Sequence, residues 1–195
     1  MSRQAEIQRR TGETEVSVAI DLDGGVVEVA TGIGFFDHML DLVARHGRLG
    51  LRVSARGDLE TGAHHTVEDT GIALGQALDR ALGDRAGIRR YGWAAVPMDE
   101  ALATCALDVS GRPLCRFDSE LPPVTIAGFE AELAEEFFRA VTANAKLTAH
   151  LSTPHGSNAH HLIEACFKAF ARALREAVAL DPDEDGVPST KGTLR

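Results

Sequence analysis

An internal duplication constrains this chain more than any other feature. The 195-residue sequence carries HHTVE at 64–68 and HHLIE at 160–164, an offset of 96. Beyond the two motifs, HHTVEDTGIALGQALDRAL (64–82) lines up with HHLIEACFKAFARALREAV (160–178), and apolar residues recur in both at helical spacing. ETEVSVAIDLDG (13–24) lines up with EALATCALDVSG (100–111), which pairs Glu13 with Glu100. Both show the alternating pattern of a half-buried strand ending in a glycine turn. HMLDLVARHGRLGLRV (38–53) lines up with EFFRAVTANAKLTAHL (136–151), each a helical stretch and then a short strand. Three blocks repeated in the same order argue against a chance likeness between two amphipathic patterns.

Each half therefore reads strand–strand–helix–strand–helix, and short antiparallel strands with helices on one face give an α+β sandwich. The expected division is residues 1–87 and 88–180 as two half-repeats of one compact unit, followed by a tail over 181–195. The Gly- and Arg-rich stretch 83–99 is the linker. The polar, Gly/Pro-rich tail is expected to be mobile by itself.

A lone HHxxE is most often a pair of solvated or capping histidines, but here it occurs twice. Successive helical residues turn about 100° apart, so the glutamate falls at about 40°, between the two histidines. The imidazoles point apart, which favours two ions over one. The repeat adds a fourth member to each half, because His38 aligns with Glu136. Eight candidate metal ligands result: His38, His64, His65, Glu68, Glu136, His160, His161 and Glu164. Each half is expected to hold its own four, apart from the other set. Four N/O ligands on a six-coordinate ion leave open positions, which suits manganese or iron better than four-coordinate zinc. HExxH is absent, which disfavours a zincin protease. The other histidines receive blander readings. His46, before Gly47, is read as a helix C-terminal cation favoured by the dipole. His150 sits in an alternating strand, and His155 in a solvated loop.

Partners are narrowed by charge and composition. A net charge of −9 argues against nucleic acid, since phosphate contacts need a basic face. No apolar run is long enough to span a bilayer, and MSRQAEIQRRTGETEV lacks a signal-peptide pattern. Cys105, Cys115 and Cys166, without CxxC spacing, read as reduced thiols of a cytoplasmic protein.

TGIGFFDHMLDLVARHG, GAHHTVEDTGIALGQAL, RRYGWAAVPMDEAL, DVSGRP, HHLIEACFKAFARALREA and STKGTL together resemble the imidazoleglycerol-phosphate dehydratase family of histidine biosynthesis, from about residue 3 to 194. The resemblance implies a duplicated ferredoxin-like ββαβα half-domain, with four-stranded sheets packed on helices. It implies two Mn(II) per active site, sites between subunits, and a 24-subunit shell acting on a small phosphorylated imidazole. The reaction implied is conversion of D-erythro-imidazole-glycerol phosphate to imidazole-acetol phosphate. Two metals on the ring nitrogens can stabilise an imidazolate and draw the ring toward a diazafulvene-like intermediate as hydroxide leaves. The family's ligand positions fall on the eight residues above, although relatives often have His where Glu136 stands. Glu13 is implied as the carboxylate that moves protons, with Glu68 and Glu164 completing the catalytic set. Phosphate-binding positions fall on Arg90, Arg112, Lys168, Thr190 (often Ser in relatives) and Lys191. His38, His64 and His160 join Glu13 as further substrate contacts. Between DLDG and TGIGFF the chain is one residue shorter than many relatives, a hairpin change of no catalytic weight.

Two other readings compete. A di-metal hydrolase would activate water and need no imidazole-sized gap. A metal-storage or structural protein would leave few open ligand positions and no purpose for STKGTL.

Overall fold

The computed structural model describes residues 3–194. The first half runs β1 (Gln4–Arg10), β2 (Thr14–Asp21), β3 (Val27–Ala30), α1 (Gly34–Gly47), β4 (Gly50–Gly57) and α2 (His64–Leu82). The second half repeats the order with β5 (Tyr91–Met98), β6 (Ala101–Asp108), β7 (Leu114–Asp118), α3 (Leu133–Ala145), β10 (Thr148–His155) and α4 (Ala159–Val178). Between β7 and α3 it inserts a short hairpin, β8 (Thr125–Ile126) and β9 (Phe129–Glu130).

Sheet topology proves the repeat independently of the letters. The first sheet is ordered β1-β2-β4-β3 and the second β5-β6-β10-β7, each with three antiparallel strands and a parallel edge strand. The α+β reading with four-stranded sheets is borne out. Each half carries one strand more than the five elements read from the pattern, because β3 and β7 are short edge strands. β3 is mostly exposed and leaves no buried alternation to see. His155 ends β10, paired with Leu102, rather than lying in a loop.

The two sheets enclose four helices. α2 lies on its own sheet and α4 on the other, while α1 packs against α4 and α2 against α3. The halves therefore meet helix to helix. Phe36, Phe137, Phe138, Phe167 and Phe170 are fully buried there, and the Phe36 ring of the first half meets Phe137 of the second edge-on, 5.4 Å apart. Burying aromatic area of this size supplies much of the drive for joining the halves. The α2–α3 contact is set by glycine. A Cβ on Gly75 would stand 2.6 Å from the Val141 carbonyl oxygen and 2.7 Å from Asn144 Cβ. One turn earlier, a Cβ on Gly71 would meet that of Ala140 at 2.8 Å. Only bare backbone lets these helices come so close.

The tail is more firmly held than its composition suggests. Leu180 bridges Ile88, and Gly87 N–H donates to the Gly186 carbonyl at 2.7 Å. Arg90 donates to the Pro188 carbonyl at 2.9 Å. Near the end, Leu194 is buried and its carbonyl accepts from Arg85, itself buried against Asp79 and the Ala145 carbonyl. The tail, expected to be mobile only by itself, is here met by backbone pairing with 87–90 and by one apolar anchor.

Candidate active site

Both HHxxE segments sit at helix starts. His64 and His65 open α2, while Asn158 caps α4 by accepting from the backbone N–H of His160 at 2.9 Å and of His161 at 3.4 Å. Within each pair the rings stand 6.1 Å apart and nearly perpendicular, at 85° and 83°. The imidazoles do point apart, as the helical geometry requires.

His38 does not stay with the ligands of its own half. Because α1 packs on α4, His38 Nε2 lies 3.5 Å from Glu164 Oε2, and His160 Nε2 lies 3.0 Å from the same oxygen. The expectation that each half keeps its four ligands is overturned by the crossed packing of the helices. In the other cluster His64 Nε2 lies 3.8 Å from Glu68 Oε2. Glu136, in the first turn of α3, is half-buried and is not brought against another candidate ligand. Among the described residues no three His, Cys, Asp or Glu side chains enclose an ion by themselves.

Glu164 is the most buried of these carboxylates, its side chain 9% exposed. Burial alone would raise its pKa. The Lys168 ammonium, 2.6 Å from Oε1, together with His160 and His38, outweighs burial and holds it below the usual carboxylate value. The second histidine of each motif has a different environment. His161 Nδ1 is 2.7 Å from Glu100 Oε2, and His65 Nδ1 is 3.0 Å from Asp58 Oδ2. These hydrogen bonds raise both histidine pKa values, and with two backbone donors they drop Glu100 to about 2. Glu13, in the β1–β2 turn, is exposed, with Oε1 3.8 Å from His65 Nε2.

The cations implied for phosphate are only partly gathered. Arg90 is forked onto Asp108, at 2.8 and 3.2 Å, so its guanidinium is engaged within the chain. Arg112 Nη2 stands 3.9 Å from the same carboxylate and is otherwise exposed. Thr190 and Lys191 occupy an exposed turn of the tail, closed by Ser189. His46 lies in the last turn of α1, as read from the sequence. Burial, and then Lys168, Arg172 and Arg45, lower its pKa and favour the neutral ring.

Asp58, Glu100 and Asp108 were not singled out from sequence. Glu100 had a signal, its alignment with Glu13. Asp58 lies between the aligned blocks, in the segment joining β4 to α2, and Asp108 ends a strand. The three cysteines are free thiols, and burial pushes Cys115 up to about 11 and Cys105 and Cys166 at least as strongly, so none is a ready nucleophile.

A duplicated α+β frame that presents imidazole–carboxylate clusters at equivalent helix starts, with Lys168 beside one of them, sets out the groups of an acid–base enzyme. Comparison with known proteins makes this specific. Residues 31–174 match the family model described as imidazoleglycerol-phosphate dehydratase. The imidazoleglycerol-phosphate dehydratase of Symbiobacterium thermophilum is 60% identical over 193 residues, 98% of this chain and 93% of that one. That of Acetivibrio thermocellus is 56% identical over the whole of both chains. The crystal structure of the Staphylococcus aureus enzyme superposes with a TM-score of 0.84 at 42% identity, covering 91% of this chain and 99% of that one. The chain belongs to the imidazoleglycerol-phosphate dehydratase family. No helix of the described residues is long and apolar enough to cross a membrane.

Proposed function

We propose that this enzyme dehydrates D-erythro-imidazole-glycerol phosphate to imidazole-acetol phosphate in histidine biosynthesis, using two Mn(II) ions. The observation that carries this reading is the junction of α1 and α4. There Glu164 Oε2 faces two imidazole nitrogens while Oε1 is held by Lys168. Nitrogen and oxygen donors without thiolate fit a manganese-type ion. His38, His64, His65, Glu68, Glu136, His160, His161 and Glu164 would hold the two ions. When bound, Mn(II) would supply Lewis acidity toward an imidazole ring, which stabilises charge in the ring and eases departure of the hydroxyl from the carbon beside it.

The chain's own groups do the rest. Glu13, exposed beside His65, takes the proton from the second carbon out from the ring and passes it to the hydroxyl departing from the carbon next to the ring, and the enol left behind becomes the ketone. Glu68 and Glu164 neutralise and orient the imidazoles of their motifs. Arg112, Lys168 and Lys191 offer charge to the phosphate, and Thr190 offers a hydroxyl. Arg90 reaches the phosphate by exchanging Asp108 for it, a swap that also bears on the tail through Pro188.

A neighbouring copy completes each donor set, in a 24-subunit shell with sites between subunits. The exposed Tyr91 and Trp93 on the outer face of the second sheet support burial against such a copy. We read the enzyme as cytoplasmic, in keeping with three free cysteines.

The direct test is to mix the purified protein, Mn(II) and the substrate and follow the enolisable ketone product. Phosphate release in place of a ketone would replace the dehydratase reading with a hydrolase.

A further inference from the structure

The second histidine of each HHxxE motif is gripped at the same ring atom. His161 Nδ1 faces Glu100 Oε2 at 2.7 Å, and His65 Nδ1 faces both oxygens of Asp58, at 3.1 and 3.0 Å. An ionised carboxylate only accepts, so the ring hydrogen belongs on Nδ1 and the lone pair on Nε2. Each Nε2 has its nearest carboxylate, Asp99 or Glu13, at 3.7 or 3.8 Å, beyond hydrogen-bond range. The first histidines are placed differently: His64 and His160 meet Glu68 and Glu164 through Nε2.

The two grips come from different parts of the repeat. Glu13 and Glu100 are the aligned pair, each in the turn that enters the second strand of its half. Glu100 is fully engaged, with Oε1 accepting from the backbone N–H of Ser157 at 3.2 Å and of Asn158 at 2.9 Å. It thereby staples the β5–β6 turn to the start of α4. In the first half the corresponding grip on His65 comes from Asp58, in the segment between β4 and α2. Glu13 is left exposed, its nearest charged partner His65 Nε2 at 3.8 Å.

We infer that Glu100 and Asp58 are positioning residues that fix His161 and His65 as Nε2 donors to a divalent cation, and that Asp58, by taking this task in the first half, leaves Glu13 alone of the aligned pair open to substrate. The inference deepens the proposed function and rests on the metal reading of His65 and His161. One consequence is a single proton-moving glutamate per chain, despite two copies of its position.

The test is Mn(II) binding to the full-length protein, followed by the electron paramagnetic resonance signal of free Mn(II). In Glu100→Gln the amide oxygen still accepts from Ser157 and Asn158, which keeps the staple. The amide nitrogen, however, donates toward Nδ1 and drives the ring hydrogen onto Nε2, where the metal must bind. Glu100→Gln and Asp58→Asn should each weaken one ion about 10- to 100-fold and leave the other unchanged, with unaltered helical circular dichroism. Glu13→Gln should bind both ions as the unmodified protein does. Variants at 100 and 58 that bind as tightly as the unmodified protein overturn the inference, as does a Glu13→Gln variant that loses an ion. If the unmodified protein binds no Mn(II), the metal reading and this inference fall together. If it binds two ions but makes no ketone, the proposed function fails and the positioning role stands.

Discussion

Thr14 donates its hydroxyl to Asp69 Oδ2 at 2.5 Å, joining the β1–β2 turn to α2 one residue after Glu68. Arg9 holds the other carboxylate oxygen at 2.8 Å, and Thr11 Oγ accepts from the backbone N–H of Glu13 and Thr14. The turn that displays Glu13 is therefore fixed to the helix that displays the first His–Glu cluster. In the second half the position of Asp69 is Ala165, so this brace belongs to one half only.

Thr14→Val should release that brace while keeping side-chain shape. We expect kcat to fall about 10- to 100-fold through misplacement of Glu13, with KM and Mn(II) content unchanged, and Thr14→Ser to restore it. Stability should drop by about 1.5–3 kcal/mol, the usual cost of losing a hydrogen bond to a charged group. Steady-state kinetics and urea unfolding measure both; an unchanged kcat would show that the turn holds Glu13 without Asp69.

Lys168 sets the pH response of Glu164. A carboxylate whose folded pKa is depressed adds stability above its unfolded pKa and loses it as pH falls through the folded one. Lys168→Met removes the main opposing cation, so burial prevails and Glu164 takes up a proton at higher pH. Acid unfolding of the metal-free variant, followed by circular dichroism, should begin at higher pH than in the unmodified protein. Coincident curves would mean that the Lys168–Glu164 pair contributes nothing in solution.

Leu194 anchors the end of the tail. Leu194→Asp would bury a charge among apolar neighbours and should free the segment carrying Thr190 and Lys191. KM for the phosphorylated substrate should rise several-fold, as expected when a closing segment is loosened, with metal content unchanged. An unaltered KM would separate the tail from substrate binding.

Metal removal should dismantle the assembly if ions link neighbouring copies, because binding energy there is association energy. Light scattering should give a large shell with Mn(II) at neutral pH and a much smaller species with chelator. Below about pH 5 protons compete for the imidazoles, and the same loss of mass is expected. The raised pKa values of His65 and His161 strengthen that competition. Unchanged mass in protein shown by elemental analysis to be metal-free would assign the shell to protein contacts alone.

The duplication and the two helix-start clusters were readable because they depend on local spacing. A period of 3.6 residues determines where Glu68 lies relative to His64 whatever packs around it. What sequence concealed is tertiary. That His38 joins His160 follows from α1 crossing to α4, and no alignment of the halves contains that step. Asp58 went unseen because its job is done by Glu100 in the other half, so the repeat pointed to Glu13 instead. The tail's contacts were hidden for a related reason: polar composition reports the segment's own tendencies, while Leu194 and Arg85 act between distant parts of the chain.

The crossed packing of α1 on α4 and α2 on α3 bears on ancestry. A chain of half this length, with one HHxxE and one copy of each helix, would expose the surface that these four helices now bury. Pairing with a second copy of itself about a two-fold axis would hide that surface, bringing the first helix of each partner to the last helix of the other. Fusion of two such copies would make a permanent dimer of one molecule. Once the copies were covalently joined, their equivalent positions were free to diverge, as Glu13 and Glu100, Asp69 and Ala165, and His38 and Glu136 have done.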